Sequence, residues 1–69
     1  MVATRRQLEV LEAFARCGSY KVAAVELGIR LGTVRETLVR VRCNYGVTTS
    51  IQAYRAAVAA GDIDGRIGA

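Results

Sequence analysis

The chain has 69 residues, of which 52% are hydrophobic and 23% are charged, so we expect a single folded domain over residues 1–69 with a thin core. It contains no histidine and only two cysteines, which excludes histidine-dependent acid–base chemistry and leaves too few ligands for a structural zinc site. No apolar run approaches the roughly 20 residues that span a bilayer, and no signal-peptide core follows the N-terminus. These features predict a protein of the reducing cytoplasm.

The positive charge is concentrated in the first two thirds of the chain. Residues 1–47 hold eight basic and four acidic residues, so the whole net charge of +4 lies there, and residues 48–69 are balanced. Nine of the ten basic residues are arginine, whose planar guanidinium forms paired hydrogen bonds with phosphate or guanine. This distribution indicates a nucleic-acid partner, although a solvated basic surface would have the same composition.

Four predicted helices, separated by glycines, account for nearly the whole chain, because proline is absent and no β-type alternation persists. Thr4 and Gln7 predict a capping box at the start of the first helix, and Gly18 predicts its end. The second helix is expected to run from a cap at Ser19 to about Leu27.

The third predicted helix spans about Gly32 to Tyr45 and has two different faces. Its apolar positions recur every three or four residues, which is the spacing of a helix packed on a core. The core-facing residues are Val34, Leu38, Val41 and Tyr45. The outward-facing residues are Gly32, Arg35, Glu36, Val39, Arg40 and Cys43.

The fourth predicted helix covers about 49–60, and residues 62–69 form a tail. Thr49 and Gln52 open this helix with a second capping box. Its small residues, which suit close packing on the core, are Ala53, Ala56, Ala57 and Ala60. A second apolar stripe lies nearly opposite and consists of Ile51, Tyr54 and Val58. One domain can bury only one of these faces, so the stripe favours self-association over an incidental apolar surface.

Residues 19–45 have the dimensions of a helix-turn-helix motif. Ala23 and Ala24 are small enough to let the two helices cross closely, and Ile29 can fill the turn between them. Many small helical bundles contain such a pair, so the pattern by itself predicts the motif without identifying its function.

From Thr4 to about Ile63 the chain resembles the LuxR/FixJ-type helix-turn-helix domain, the DNA-binding output module of many bacterial regulators. The matching stretches are 4–11, Gly18-Ser19, Ala23-Ala24, 27–29, 33–35, Leu38, 45–47, Gln52-Ala53 and Gly61. The resemblance implies an all-α domain of four helices, in which the third helix reads double-stranded DNA and the fourth joins two copies into a homodimer. The implied function is that of a small, sequence-specific transcriptional regulator.

The chain departs from the family pattern at three points. Arg30 stands where a serine usually caps the third helix, so we expect that helix to start loosely or at a shifted position. Val22 and Val25 replace residues that are usually polar, which leaves extra apolar surface on the second helix. The length leaves no room for a sensor domain, so the chain resembles the free-standing form of the module, as in small bacterial or phage regulators.

The resemblance assigns the base contacts to Arg35, Glu36 and Val39. Arg35 can donate two hydrogen bonds to guanine, or contact only phosphate or Glu36. Glu36 can accept from cytosine, or hold Arg35 or Arg40 in position. Val39 suits a thymine methyl group, although a single exposed valine is common on protein surfaces.

The remaining site residues contact the DNA backbone or the second copy. The expected phosphate contacts are Lys21, Arg30, Gly32, Thr33, Arg40 and Arg42. The expected dimer interface consists of Ile51, Tyr54, Arg55 and Val58.

A second resemblance competes with the first. It lies in residues 27–29, 32–35, Leu38 and 40–42, which are also similar to sigma-factor region 4, a region that binds promoter DNA and contacts RNA polymerase. It implies an alternative function as a protein-binding adaptor for RNA polymerase or another regulator, with Val22 and Val25 as the contact surface. The fourth helix with Gln52-Ala53 fits the LuxR type and is not expected of region 4.

The sequence gives little reason to expect an enzyme. It offers no nucleophile–base pair, metal cluster or phosphate-binding loop, and we expect no cofactor. Cys43, on the outward face of the third helix, is a candidate redox handle, but an inert cysteine is the commoner case.

Overall fold

A computed structural model describes residues 3–63, and residues 64–69 of the expected tail lie outside the described part. The helices are α1 (Arg5–Cys17), α2 (Tyr20–Leu27), α3 (Leu31–Tyr45) and α4 (Ser50–Ala59). Residues 3–63 contain these four helices and no strand, which confirms the predicted all-α class. Each of these helices is too short or too polar to traverse a bilayer.

Three of the helices begin at the predicted caps. The Gln7 amide donates to Thr4 Oγ1 at 3.1 Å, and the Thr4 amide donates back to Gln7 Oε1 at 3.0 Å. Thr49 and Gln52 form the same reciprocal pair at the start of α4, at 3.1 and 3.2 Å. Ser19 caps α2 by accepting one backbone hydrogen bond. These side chains satisfy amides that the first turn of a helix leaves without a partner.

The third helix begins one residue earlier than predicted, at Leu31. The carbonyl of Arg30 accepts from the amide of Val34 at 3.2 Å, which makes Arg30 the N-cap residue. The Arg30 side chain forms no capping hydrogen bond. The start is therefore shifted and uncapped, as the arginine at this position predicts. At the other end, Gly46 adopts φ +66°, a conformation that glycine reaches with little strain.

The core is built on α3 and α1, and alanines bring the other two helices close to it. Val34, Leu38 and Val41 of α3 are buried, as predicted, whereas Tyr45 is half-buried. Val10 and Leu11 of α1, together with the three buried residues of α3, are the largest fully buried side chains. The buried alanines of the four helices are Ala13, Ala23, Ala24, Ala53 and Ala57. Because alanine is small, α2 and α4 can lie directly against the larger side chains.

Hydrogen bonds from side chains hold the C-terminal end of α3 in place. Asn44 Nδ2 donates to Gln7 Oε1 at 3.1 Å, which joins this end to the start of α1. The Tyr45 hydroxyl donates to Asp62 Oδ2 at 2.6 Å, which joins it to the segment after α4. Burial, this hydrogen bond and the charge of Asp62 raise the pKa of Tyr45 from 10.0 to about 12. The hydroxyl therefore stays protonated across the neutral range.

A separate contact joins α1 to α2. The Arg16 guanidinium pairs with Glu26, and Cys17 Sγ donates to the other carboxylate oxygen of Glu26 at 3.0 Å. The carboxylate of Glu26 is thus engaged by two groups of α1, and its charge is compensated by Arg16.

Candidate nucleic-acid interface

The outward face of α3 is the surface on which the predicted base contacts lie together. Arg35, Glu36 and Val39 are all exposed, on the side of the helix opposite the buried Val34 and Leu38. They occupy successive positions along about one and a half turns of helix. Val39 is 45% exposed, so an apolar side chain stands in water between charged neighbours.

The basic residues of this face have no acidic partner among residues 3–63. The ion pairs of that part of the chain are Arg6–Glu9, at 3.4 Å, and Arg16–Glu26, and both involve α1. The basic residues outside these pairs include Lys21, Arg30, Arg35, Arg40 and Arg42. Their uncompensated charges make the surface around α2 and α3 positive, which attracts anionic ligands.

Glu36 is exposed and forms no ion pair or hydrogen bond with Arg35 or Arg40 in the described part of the chain. An internal clamp on either arginine, one of the two roles considered for it, is therefore absent from this structure. Its carboxylate remains available to accept from a donor outside the chain.

The first turn of α3 leaves its backbone amides without a side-chain cap. Gly32 and Thr33 are exposed there, and the N-terminal amides and dipole of a helix attract anions. A Cβ placed on Gly32 would meet no atom within 4 Å, so packing within residues 3–63 does not require glycine at this position. The absent side chain instead leaves space for a ligand to approach the backbone.

The structure changes the expected division of α4 into two apolar faces. Tyr54 and Val58 are half-buried and pack against the core, whereas Ala60 of the predicted core arc is exposed. Ala53 and Ala57 are buried, as predicted, and the two larger side chains pack beside them at the edge of the core. Their packing follows from volume, because larger apolar side chains fill more of the space beside α1 and α3.

The apolar stripe of α4 is consequently only partly available to a second copy. Ile51 is 48% exposed and Arg55 is also exposed. The hydroxyl of Tyr54 is buried and has no hydrogen-bond partner within residues 3–63. Ile51 and Arg55 are therefore the predicted dimer residues that a neighbouring molecule could contact most extensively.

The predicted apolar surface on α2 is present. Val22 is 52% exposed and Val25 is 82% exposed.

The sequence does not predict the two hydrogen bonds that hold the end of α3, Asn44 with Gln7 and Tyr45 with Asp62, because no local pattern links residues so far apart.

Comparison of the chain with protein-family models, curated proteins and solved structures finds no match in any of the three. The exposed face of α3 and its flanks are therefore the basis for a functional proposal.

Proposed function

We propose that the chain binds double-stranded DNA in a sequence-specific manner, as a small transcriptional regulator with α3 in the major groove. The observation that carries this proposal is the α3 face itself: exposed arginines without acidic partners within residues 3–63 stand on a helix whose other side fills the core. The major groove of B-form DNA is wide enough to admit such a helix.

The three residues at the centre of the face have distinct roles. Arg35 donates two hydrogen bonds to the O6 and N7 atoms of a guanine, and Glu36 accepts from the N4 amine of a cytosine. Val39 contacts a thymine methyl group, which removes its exposed apolar surface from water. Together they read a short sequence from the edges of the bases in the major groove.

Further basic and polar groups around these residues hold α3 on the DNA backbone. Arg40 and Arg42 flank the base-reading residues along α3, and Lys21 and Arg30 lie on α2 and at the α3 N-cap. The uncapped amides near Gly32 and the hydroxyl of Thr33 bind a phosphate at the helix start. These contacts fix orientation and carry no sequence preference of their own.

Two copies bind together through α4, with Ile51 and Arg55 at the contact. A twofold pair places the two α3 helices in successive major grooves about 34 Å apart. Because Tyr54 is partly in the core, Ile51→Glu is the sharper test of this contact. We expect this variant to be a monomer in size-exclusion chromatography with light scattering and to keep the helical circular dichroism spectrum of the wild type. A dimer that survives the substitution would contradict an α4 interface.

The experiment that tests the proposal is selection from a randomised duplex pool at increasing salt, followed by sequencing of the retained duplexes. Enrichment of an inverted repeat, with half-sites about one helical turn apart, is the expected result. Binding that falls steeply with salt and enriches no sequence would leave only phosphate contacts. That outcome would refute sequence-specific reading and favour the protein-binding adaptor.

A further inference from the structure

Val22 and Val25 form an exposed apolar ridge along α2, called the α2 ridge below. They are 52% and 82% exposed and lie one turn apart on the same side of the helix. Ala23 and Ala24, which face the core, are buried, so the ridge is on the side of α2 that points away from the domain.

The fold gives no reason for valine at these two positions. Valine is a poorer helix former than alanine or a long polar residue, because its branched Cβ loses rotamer freedom in a helix. The α2 helix has only eight residues, and its exposed positions gain nothing from burial. Two apolar side chains one turn apart at such positions leave an apolar patch in water, which is unfavourable unless a partner covers it.

The charges around the ridge indicate the chemistry of that partner. Lys21 lies one turn from Val25, and Arg30 follows the end of the helix. Neither forms an ion pair within residues 3–63. The carboxylate of Glu26, which also lies on the exposed side, is engaged by Arg16. The uncompensated charge at both ends of the ridge is therefore positive.

We propose that the α2 ridge docks an acidic, amphipathic segment of another protein. Apolar side chains of that segment cover Val22 and Val25, and its carboxylates pair with Lys21 and Arg30. A second copy of this chain fits less well, because two α2 ridges packed together would bring their uncompensated positive charges into proximity.

The docked segment also competes with DNA, and this part of the inference rests on the proposed function. Lys21 and Arg30 are the residues proposed to hold the DNA backbone beside α3. Carboxylates that pair with them occupy the same groups that phosphates require, so the acidic segment and DNA exclude each other. A protein partner that docks on the α2 ridge thus releases the regulator from DNA.

The docking surface is tested with synthetic helical peptides and the full isotope-labelled chain. The probe is a peptide with leucines along one face and glutamates beside them, and its control carries lysine in place of every glutamate. We expect the acidic peptide to shift the amide resonances of α2 in an NMR titration. The lysine control is expected to bind about tenfold more weakly or not at all, because two ion pairs become repulsions.

Matched substitutions distinguish binding at the α2 ridge from nonspecific hydrophobic binding. Replacement of both Val22 and Val25 by serine removes exposed side chains, so the variant is expected to fold, and circular dichroism checks this. It should abolish binding of the acidic peptide, whereas Val39→Ser, at the other exposed valine of the described helices, should leave it unchanged. The inference is overturned by absence of binding, equal binding of the lysine peptide, shifts confined to other helices, or binding that survives the double substitution.

A displacement assay with a labelled duplex distinguishes the two proposals. We expect the acidic peptide to displace the duplex from the wild type. If the chain binds no duplex, the proposed function fails while the NMR result still decides the docking surface. If the peptide and the duplex bind at the same time, the shared use of Lys21 and Arg30 is wrong.

Discussion

The helices α1 and α3 both expose arginines to solvent, but they use them differently. On α1, Arg6 pairs with Glu9 and Arg16 pairs with Glu26, while Arg5 is in no ion pair within residues 3–63. A capping box closes the start of this helix. On α3, Arg35 and Arg40 have no ion pair within residues 3–63, and the start carries no side-chain cap. Two of the three arginines of α1 are thus paired with carboxylates, whereas the arginines of α3 are paired with none among residues 3–63. Under the proposed function, this contrast distinguishes arginines that are paired within the fold from arginines that contact DNA.

The largest expected effect comes from the inward side of α3. Leu38 is buried in the core, and Leu38→Ala should destabilise the fold by about 2–5 kcal/mol through lost burial and the cavity left behind. Urea denaturation followed by circular dichroism measures this loss. Arg35→Ala, on the opposite side, should stay within about 0.5 kcal/mol of the wild type. Similar losses for the two variants would erase the distinction between the faces of α3.

The next effect concerns DNA affinity. Arg35→Ala should weaken binding to the selected operator by about 1–3 kcal/mol, or roughly 5- to 150-fold, and relax the preference at one base pair. Fluorescence anisotropy with the operator and with single-base variants measures both changes.

Arg6→Ala is the matched control, because it removes the same charge from α1, where Arg6 is already paired with Glu9. It should change operator affinity far less than Arg35→Ala. An equal loss for the two variants would mean that net charge alone governs binding, and that α3 has no special position.

A smaller effect is expected where Tyr45 anchors α3. Tyr45→Phe removes the hydrogen bond to Asp62 and should destabilise the fold by about 1 kcal/mol at neutral pH. Folding raises the pKa of Tyr45 from 10.0 to about 12. The stabilisation of the wild type over Tyr45→Phe is therefore present below pH 10 and is lost as the pH rises through 12. Urea denaturation of both proteins at neutral and alkaline pH tests this, and a difference that grows with pH would contradict the assignment.

The smallest effect sharpens the comparison of helix starts. Gly32→Ala should stabilise the fold by about 0.5–1 kcal/mol, because glycine is a poor helix former and the site has room for a Cβ. The same change should weaken DNA binding if a phosphate approaches this backbone. Thermal denaturation and operator titration of one protein sample measure both. A variant that gains stability and keeps full affinity would show that no phosphate lies close to Gly32.

Helix starts could be predicted because their signals are local. Thr4 and Thr49 each find a partner three residues away, and the spacing alone indicates the bond. The two faces of α3 follow in the same way from its periodicity. That its outward face reads DNA stays a prediction, because a periodic pattern specifies exposure and not the ligand.

The share of the second apolar stripe in the core could not be read from the sequence of α4. The sequence predicts that the alanines face the core, and Ala53 and Ala57 are buried. How far Tyr54 and Val58 join them depends on the volume that α1 and α3 leave open. Tyr54 and Val58 fill that volume. The anchors of α3 are equally hidden, since Gln7 and Asn44 lie 37 positions apart.

The anchoring of α3 at one end has a consequence for how such a domain diversifies. Within residues 3–63, its side-chain hydrogen bonds to other elements are at Asn44 and Tyr45, while Val34 and Leu38 hold the rest of the helix by burial in the core. Arg35, Glu36 and Val39 project from the opposite, exposed side of the helix and support no other residue by side-chain hydrogen bonding in the described stretch. Under the proposed function, substitutions at these three positions change the preferred operator while the core and the hydrogen bonds of α3 stay intact, so a new binding preference requires no compensating change elsewhere in the domain.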